Sequence, residues 1–321
     1  MITFSKLEEK GINLGNQLHR LASLIGLSEK YQCELVIPHW KYARYFLEVP
    51  KQGVIGTELN IKEKDFHYTP EFWDQYKEAF QTKNIDVWGF FQSEKYWIHC
   101  KSKVLQALTF EASFVQQVKE KFSQAFSKPT IAISIRRGDF ATTPGYFLLP
   151  LEFYLKALTE FFPDHEKYNI IIFSDDLGYC KAHIRNSKNI FFATGLKDIE
   201  QLCLMSLCNH FIISNSTFSW WGARLGEKEE TKIIRSPYQY RGWLSHMNTK
   251  DYYPERWYVY DHVNRACDVR DLLYTKRISQ LRMLLFDRKK LKHSFRRFTI
   301  KLLNKQKIFL LQVKNRFAAV K

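Results

Sequence analysis

Between residues 130 and 235, five short β-rich runs (131–135, 169–173, 189–193, 211–214 and 232–235) are separated mostly by stretches of helical periodicity. Strands that alternate with helices pair in parallel, because each crossover helix returns the chain to the same end of the sheet. Ligands of such sheets bind in the crevice beyond the carboxyl ends of the strands. Three of the five runs deliver polar residues there, so the pattern predicts an α/β layer with a functional site at one end.

The amino-terminal half is less regular. Residues 17–31 place Leu18, Leu21, Ala22 and Ile25 on one helical face, and residues 34–38 read as a strand. Apolar residues mostly three or four apart between 104 and 126 predict one core-facing helix, which Ser127-Lys128-Pro129 ends. A domain boundary is placed at that point. The expected division is 1–128, 129–262 and a tail, 263–321, and 321 residues with 45% apolar composition supply enough core for two packed domains.

The net charge of +16 belongs to the tail. From Thr275 onward fifteen Lys and Arg face one acid, Asp287, so the folded body is close to neutral and no nucleic-acid partner is expected for it. Within residues 275–321, Leu291, Phe295, Phe298, Leu302, Phe309, Val313 and Phe317 recur at near-helical spacing among cationic residues. That pattern suits either an amphipathic helix on an anionic membrane surface or a solvated terminal helix.

The six cysteines show no C-x-x-C pair and no zinc-like cluster with His, and read as reduced thiols. The first residues lack a basic stretch followed by an apolar run, and no run is long enough to span a bilayer. The expected location is therefore cytoplasmic, with peripheral attachment to the inner membrane face through the tail. In that setting the glycosylation pattern Asn215-Ser216-Thr217 is accidental.

Three strand ends carry candidate chemistry. Ser134-Ile135-Arg136-Arg137-Gly138-Asp139-Phe140 brings two guanidiniums and a carboxylate out of a buried run. Side chains alternate along a strand, so one arginine is free to enter the cleft while the other pairs with an acid. A guanidinium meets two phosphate oxygens at once, which suits a diphosphate leaving group; a structural ion-pair cluster reads equally well. Phe173-Ser174-Asp175-Asp176 ends the second run, where the carboxylates serve as ligands for a sugar, base or metal, or as a helix N-cap. Ser214-Asn215-Ser216-Thr217-Phe218-Ser219-Trp220-Trp221-Gly222 leads a strand through hydroxyl residues into a helix. The start of that helix offers unpaired N–H groups, a positive dipole end and hydroxyls, which make a phosphate site without metal; the tryptophans read as core.

Taken together, these motifs resemble those of the bacterial α-1,2-fucosyltransferases, glycosyltransferase family 11, from about Gly11 to Asp261. Supporting segments are Leu14-Gly15-Asn16-Gln17, Gly89-Phe90-Phe91-Gln92-Ser93-Glu94-Lys95-Tyr96 and Tyr253-Pro254-Glu255-Arg256-Trp257. The resemblance implies a GT-B-like fold of two Rossmann-type domains with a cleft between them. It also implies inverting, metal-independent transfer of fucose from GDP-fucose to a glycan acceptor, with no cofactor. By position, Arg136 would hold the donor diphosphate, and Arg137 and Asp139 would shape the site. Asp175 and Asp176 would recognise the donor, and Asn215, Ser216, Thr217, Phe218 and Ser219 would cradle phosphate. Asn16 and Gln17 would face the cleft from the other domain, and Asp139 is the first candidate for general base.

The chain departs from the family pattern at Ser134, where His is usual, and at Phe140 for Tyr and Arg224 for Trp. A serine hydroxyl hydrogen-bonds but neither stacks nor titrates near neutral pH. Two other readings are a metal-dependent glycosyltransferase using Asp175 and Asp176, and a non-catalytic membrane- or nucleic-acid-binding protein acting through its tail.

Overall fold

The structure is a computed structural model that describes residues 1–263, 269–275, 277–280, 282 and 283. The larger compact unit comprises Met1–Leu177 and Ser187–Val269 and contains two parallel sheets. The first sheet is small. It follows the order β1-β3-β2, built from β1 (Ile2–Thr3), β2 (Leu59–Lys62) and β3 (Ile85–Trp88). Between β1 and β2 runs the long helix α1 (Leu14–Tyr31), and α2 (Pro70–Asp74) and α3 (Lys77–Thr82) precede β3.

Helix α1 begins where Asn13 caps it, its side chain accepting the N–H of Asn16 at 3.0 Å. It ends at Gln32, whose left-handed conformation lets its N–H return to the Ser28 carbonyl. The predicted face of Leu18, Leu21, Ala22 and Ile25 is buried, as the spacing requires.

Residues 34–38 form no strand ladder, since Leu35 and Ile37 make isolated bridges to Ile2 and Gln52. The single helix expected over 104–126 is also corrected. The chain forms α4 (Lys101–Ala107), α5 (Ala112–Glu120) and a 3-10 turn at Ser123–Ser127. The interruption has a definite cause, because Leu47 N–H bonds to Thr109 O, Glu111 N–H bonds to Tyr45 O, and Phe46 bridges Phe110. Pairing with residues 45–47 takes the backbone groups that a continuous helix would use.

The second sheet and its helices are β4 (Thr130–Ile135), α6 (Leu151–Phe161), β5 (Asn169–Ser174), α7 (Leu177–His183), β6 (Ile190–Phe192), α8 (Asp198–Ser206), β7 (His210–Ile213), α9 (Thr217–Gly226), β8 (Ile233–Arg235) and β9 (Tyr258–Val259). All six pair in parallel in the order β6-β5-β4-β7-β8-β9. Every residue of β4 and β5 is buried, the signature of parallel strands covered on both faces. Pro150, expected inside the first turn of α6, is its N-cap. The fold class is thus α/β with two parallel layers, the GT-B-like arrangement that the resemblance implied.

The layers meet where α1 packs on α9. A Cβ on Gly15 would lie 2.4 Å from the Phe218 backbone nitrogen, so only glycine permits this approach. One turn on, His19 sits against Trp220 and Trp221 with ring centroids 4.7 and 5.3 Å away. Both tryptophans are fully buried, which makes them core.

A second compact unit comprises Gly178–Asn186 and the chain from Arg270. Among its described residues Ile184 and Leu273 form an antiparallel bridge, and the Arg282 guanidinium donates to Lys181 O at 2.7 and 3.2 Å. The tail positions from Leu291 to Phe317 lie outside the described residues, as does Cys267. The cysteines 33, 100, 203 and 208 are free thiols.

Candidate active site

The strand order places the site. From β4 the chain winds outward through β5 and β6, and from β7 it winds the other way through β8 and β9. The connections therefore part between β4 and β7, and a crevice opens beyond their carboxyl ends. The two strands are locked in register there, with Ser214 N–H donating to Ser134 O at 3.0 Å. Ser219, one turn into α9, shares its hydroxyl with Ser134 Oγ and Ser214 Oγ, each at 2.7 Å. Three buried hydroxyls thus tie the two strand ends to the helix start.

Arg136 leaves β4 into this crevice. Its Nη1 lies 3.0 Å from Asp175 Oδ2, and its Nη2 lies 2.5 Å from Asp139 Oδ1. Asp175 also accepts the Arg137 backbone N–H at 2.9 Å, so one carboxylate from the end of β5 fixes both the loop and the guanidinium. Arg137 leaves on the other side, its Nε 3.5 Å from Asp176 Oδ2. The alternation expected along the strand holds: the two arginines diverge, and only Arg136 lines the crevice.

Ser216 caps α9 by accepting the Phe218 N–H at 3.2 Å. The remaining first-turn N–H groups lack intrahelical partners and carry the positive end of the helix dipole. Across the cleft, Thr217 Oγ1 donates to Asn13 Oδ1 at 3.3 Å, joining the first residue of α9 to the cap of α1.

Two adjoining cavities share Arg136, Ser216 and Asn13 as walls. The first, of about 290 Å³, is lined by Ser134, Phe173, Asp175, Phe218 and Ser219 from one layer and by Gln17 and Tyr42 from the other. The second, of about 280 Å³, is lined by Asn16, Asp139, Asn215, Thr217 and a set of aromatic rings. The residues predicted to bind donor are therefore divided between two spaces. The helix explains the division, since successive residues of α9 turn about 100° and aim Thr217 away from Phe218 and Ser219.

Arg137 and Asp176 line neither cavity. Asn16 accepts from Gln92 at 3.0 Å. Gln17 is buried, donating to Ile12 O at 3.0 Å and accepting from Trp40 Nε1 at 2.9 Å, which leaves it a structural part of the first cavity's wall.

Several site residues gave no signal in the sequence. Tyr42 hydrogen-bonds Asp198 across the first cavity, and burial together with that carboxylate holds the phenol above its ordinary range, so it stays a donor. Glu63 is buried beneath the 89–92 loop. Its Oε2 accepts the N–H groups of Phe90 at 2.7 Å and Phe91 at 3.1 Å, with Phe91 held in the left-handed region at φ 54°. Burial pushes the Glu63 carboxyl up to about 7 against those hydrogen bonds and that from Tyr96. This carboxylate presents Phe90 and Gln92 to the second cavity.

Among the described residues there is no group of three or more His, Cys, Asp or Glu that could hold a metal ion, and no helix is long and apolar enough to cross a membrane.

The family model described as glycosyl transferase family 11 matches residues 12–261, a span that takes in all of the second layer, the first layer apart from β1, and every residue lining the two cavities. The chain belongs to glycosyl transferase family 11. It is 34% identical to the O-antigen biosynthesis glycosyltransferase WbnK of Escherichia coli over 40% of this chain and 43% of that one. It is 26% identical to an alpha-1,2-colitosyltransferase of Escherichia coli, covering 54% and 62%. With galactoside 2-alpha-L-fucosyltransferase SEC1 of Bos taurus it is 25% identical, covering 66% and 62%. The matches thus span less than two thirds of each of these relatives' own length. Ser134 and Ser219 form a hydroxyl pair on the wall of the first cavity.

Proposed function

We propose that the chain transfers L-fucose from GDP-fucose to a sugar hydroxyl, the 2-OH of a terminal galactoside, with inversion and without metal. The observation that carries this reading is that Arg136 and the start of α9 at Ser216 wall the same crevice at the switch point of the second sheet. Two named relatives support the linkage, since both the colitosyl- and the fucosyltransferase are called 2-specific and α.

The first cavity takes the nucleotide, and the pyrophosphate lies at the wall shared by Arg136 and Ser216. The acceptor oxygen attacks the anomeric carbon from the face opposite GDP. The new C–O bond forms as the bond to the β-phosphate oxygen breaks, GDP leaves with the electron pair, and the acceptor proton passes to a base. A fixed guanidinium and helix N–H groups stabilise the charge that grows on GDP, which is where most of the rate gain arises. Asp139 lines the second cavity and is the proposed base.

Labelled GDP-fucose incubated with terminal β-galactosides, with and without EDTA, tests the proposal. Formation of a 2-linked, inverted product at full rate in EDTA is the expected result. Product that forms only after Mn²⁺ or Mg²⁺ is restored would overturn the metal-independent reading, and lack of any fucosylated product would overturn the activity.

A further inference from the structure

We infer that Arg256 is a positioning residue for the transfer. Together with Glu94, Arg224 and Glu227 it clamps the two layers at the end of α9 remote from the crevice, and so holds the donor and acceptor walls in alignment. The inference rests on the reading just given.

Helix α9 meets the first layer at both of its ends. At the start, Phe218 lies against Gly15 of α1. At the other end Arg224 reaches Glu94, which follows β3 and the 89–92 loop, with Nε 3.6 Å from Glu94 Oε2 and Nη1 3.3 Å from Glu227 Oε2. The ten residues of α9 set these contacts about 15 Å apart. One contact alone is a pivot, whereas two fix the angle between the layers. Arg256 closes the cluster. Its Nη1 and Nη2 donate to the two oxygens of Glu94 at 2.5 and 3.0 Å, and its Nε and Nη2 donate to those of Glu227 at 2.6 and 2.9 Å. A single planar guanidinium thus grips one carboxylate from each layer along two of its edges, which a lysine cannot do.

Neighbouring rings seat the cluster. Trp257 Nε1 donates to Glu227 Oε1 at 3.0 Å, and the Arg224 guanidinium lies 5.2 Å from the ring centre of Trp97, which stacks on Trp221. Arg224 is 1% exposed, so the cluster keeps a charge out of water. Such an arrangement is a weak source of net stability, because desolvation offsets the attraction, but it fixes direction closely. None of the four residues lines either cavity, yet both cavities take walls from both layers. On the reading given, the second cavity receives the acceptor, between Asn16 and Gln92 of the first layer and Asp139 of the second. The pyrophosphate contacts, Arg136 and the start of α9, belong to the second layer alone. Loosening the clamp therefore moves the acceptor wall against the donor and leaves the diphosphate contacts whole.

The test compares the full chain as wild type, Arg256→Gln and Arg256→Lys in three measurements: hydrogen exchange of residues 89–97 by mass spectrometry, GDP affinity by calorimetry, and fucosyl transfer. The Arg256 side chain is 41% exposed, so its replacement leaves the core intact. Arg256→Gln should speed exchange of residues 89–97 roughly tenfold or more. It should lower kcat roughly tenfold to a hundredfold, with GDP affinity within about threefold of wild type. Arg256→Lys, which keeps the charge without the fork, should fall between the two. Unchanged exchange, unchanged transfer, or GDP affinity that falls as far as transfer does would overturn the clamp. Because exchange needs no substrate, faster exchange in Arg256→Gln when even wild type transfers no fucose would count against the proposed reaction and leave the clamp standing.

Discussion

Arg136 and Asp175 form a contact of 3.0 Å between the ends of two adjacent strands, and that contact aims the guanidinium of this cleft. Both side chains are 27% exposed, so the pair adds about 1 kcal/mol or less to stability. Its value lies in placement, where an error of about 1 Å can cost roughly a hundredfold in rate.

Asp175→Ala should therefore lower the donor kcat/KM by roughly tenfold to a hundredfold with a melting temperature close to that of wild type. Gly138→Ala should act the same way, because a Cβ at Gly138 would lie 2.3 Å from Asp175 Oδ2. Steady-state kinetics beside thermal melts checks both. A loss of stability that matches the loss of activity would mean that the pair serves the fold instead.

Asp139 engages Arg136 through Oδ1 and borders the cavity assigned to the acceptor. If it takes the acceptor proton, Asp139→Asn should lower kcat on the order of a hundredfold or more while GDP binding changes little, since Asp175 still holds Arg136. A kcat within a few-fold of wild type would move the base elsewhere.

The interface of the two layers contains a pH-sensitive group. Burial among Trp220, Trp221 and Tyr252 lowers His19 from its ordinary 6.5 to about 3, and neither ring nitrogen has a partner. The unfolded chain thus takes up a proton between pH 6.5 and 3 that the folded chain refuses. Stability is complete above pH 6.5 and falls as pH drops toward 3, by an amount on the order of several kcal/mol. His19→Phe should flatten this part of the stability profile in urea titrations at several pH values. An unchanged slope would show that other groups carry it.

Gly15→Ala tests the close approach of α1 to α9. The added methyl would meet backbone, at 2.4 Å from Phe218 N and 2.5 Å from Thr217 C, where no flexible side chain can give way. The expected cost is about 1–3 kcal/mol or more, read by urea unfolding. Because α9 also carries the phosphate-facing turn, GDP affinity should fall with it. A variant as stable as wild type would mean that the layers have room to separate.

What the sequence revealed follows from the range of its signals. The central strands β4 and β5 are buried on both faces, so their apolar character is local and continuous, and Arg136 and Ser216 stand at the strand ends where the site was expected. The strands of the first sheet have two to four residues and include Asn60, Lys62 and Asp86, so no run of apolar residues marks them. The break in the helix over 104–126 depends on pairing with residues 45–47, which no local window contains. Tyr42 meets Asp198 across 156 positions. The aromatic cavity gathers rings from 66, 90, 140, 146 and 240, of which only Phe90 and Phe140 fall within the motifs, and only the fold makes them neighbours.

The central claim is that the Arg136 guanidinium and the amides at the start of α9 act on one pyrophosphate. The most direct measurement is GDP affinity by calorimetry together with fucosyl transfer, for wild type and Arg136→Ala. Loss of one charge-assisted contact should weaken GDP binding roughly tenfold to a hundredfold, and transfer should disappear. Near-normal turnover with unchanged GDP affinity would contradict the account.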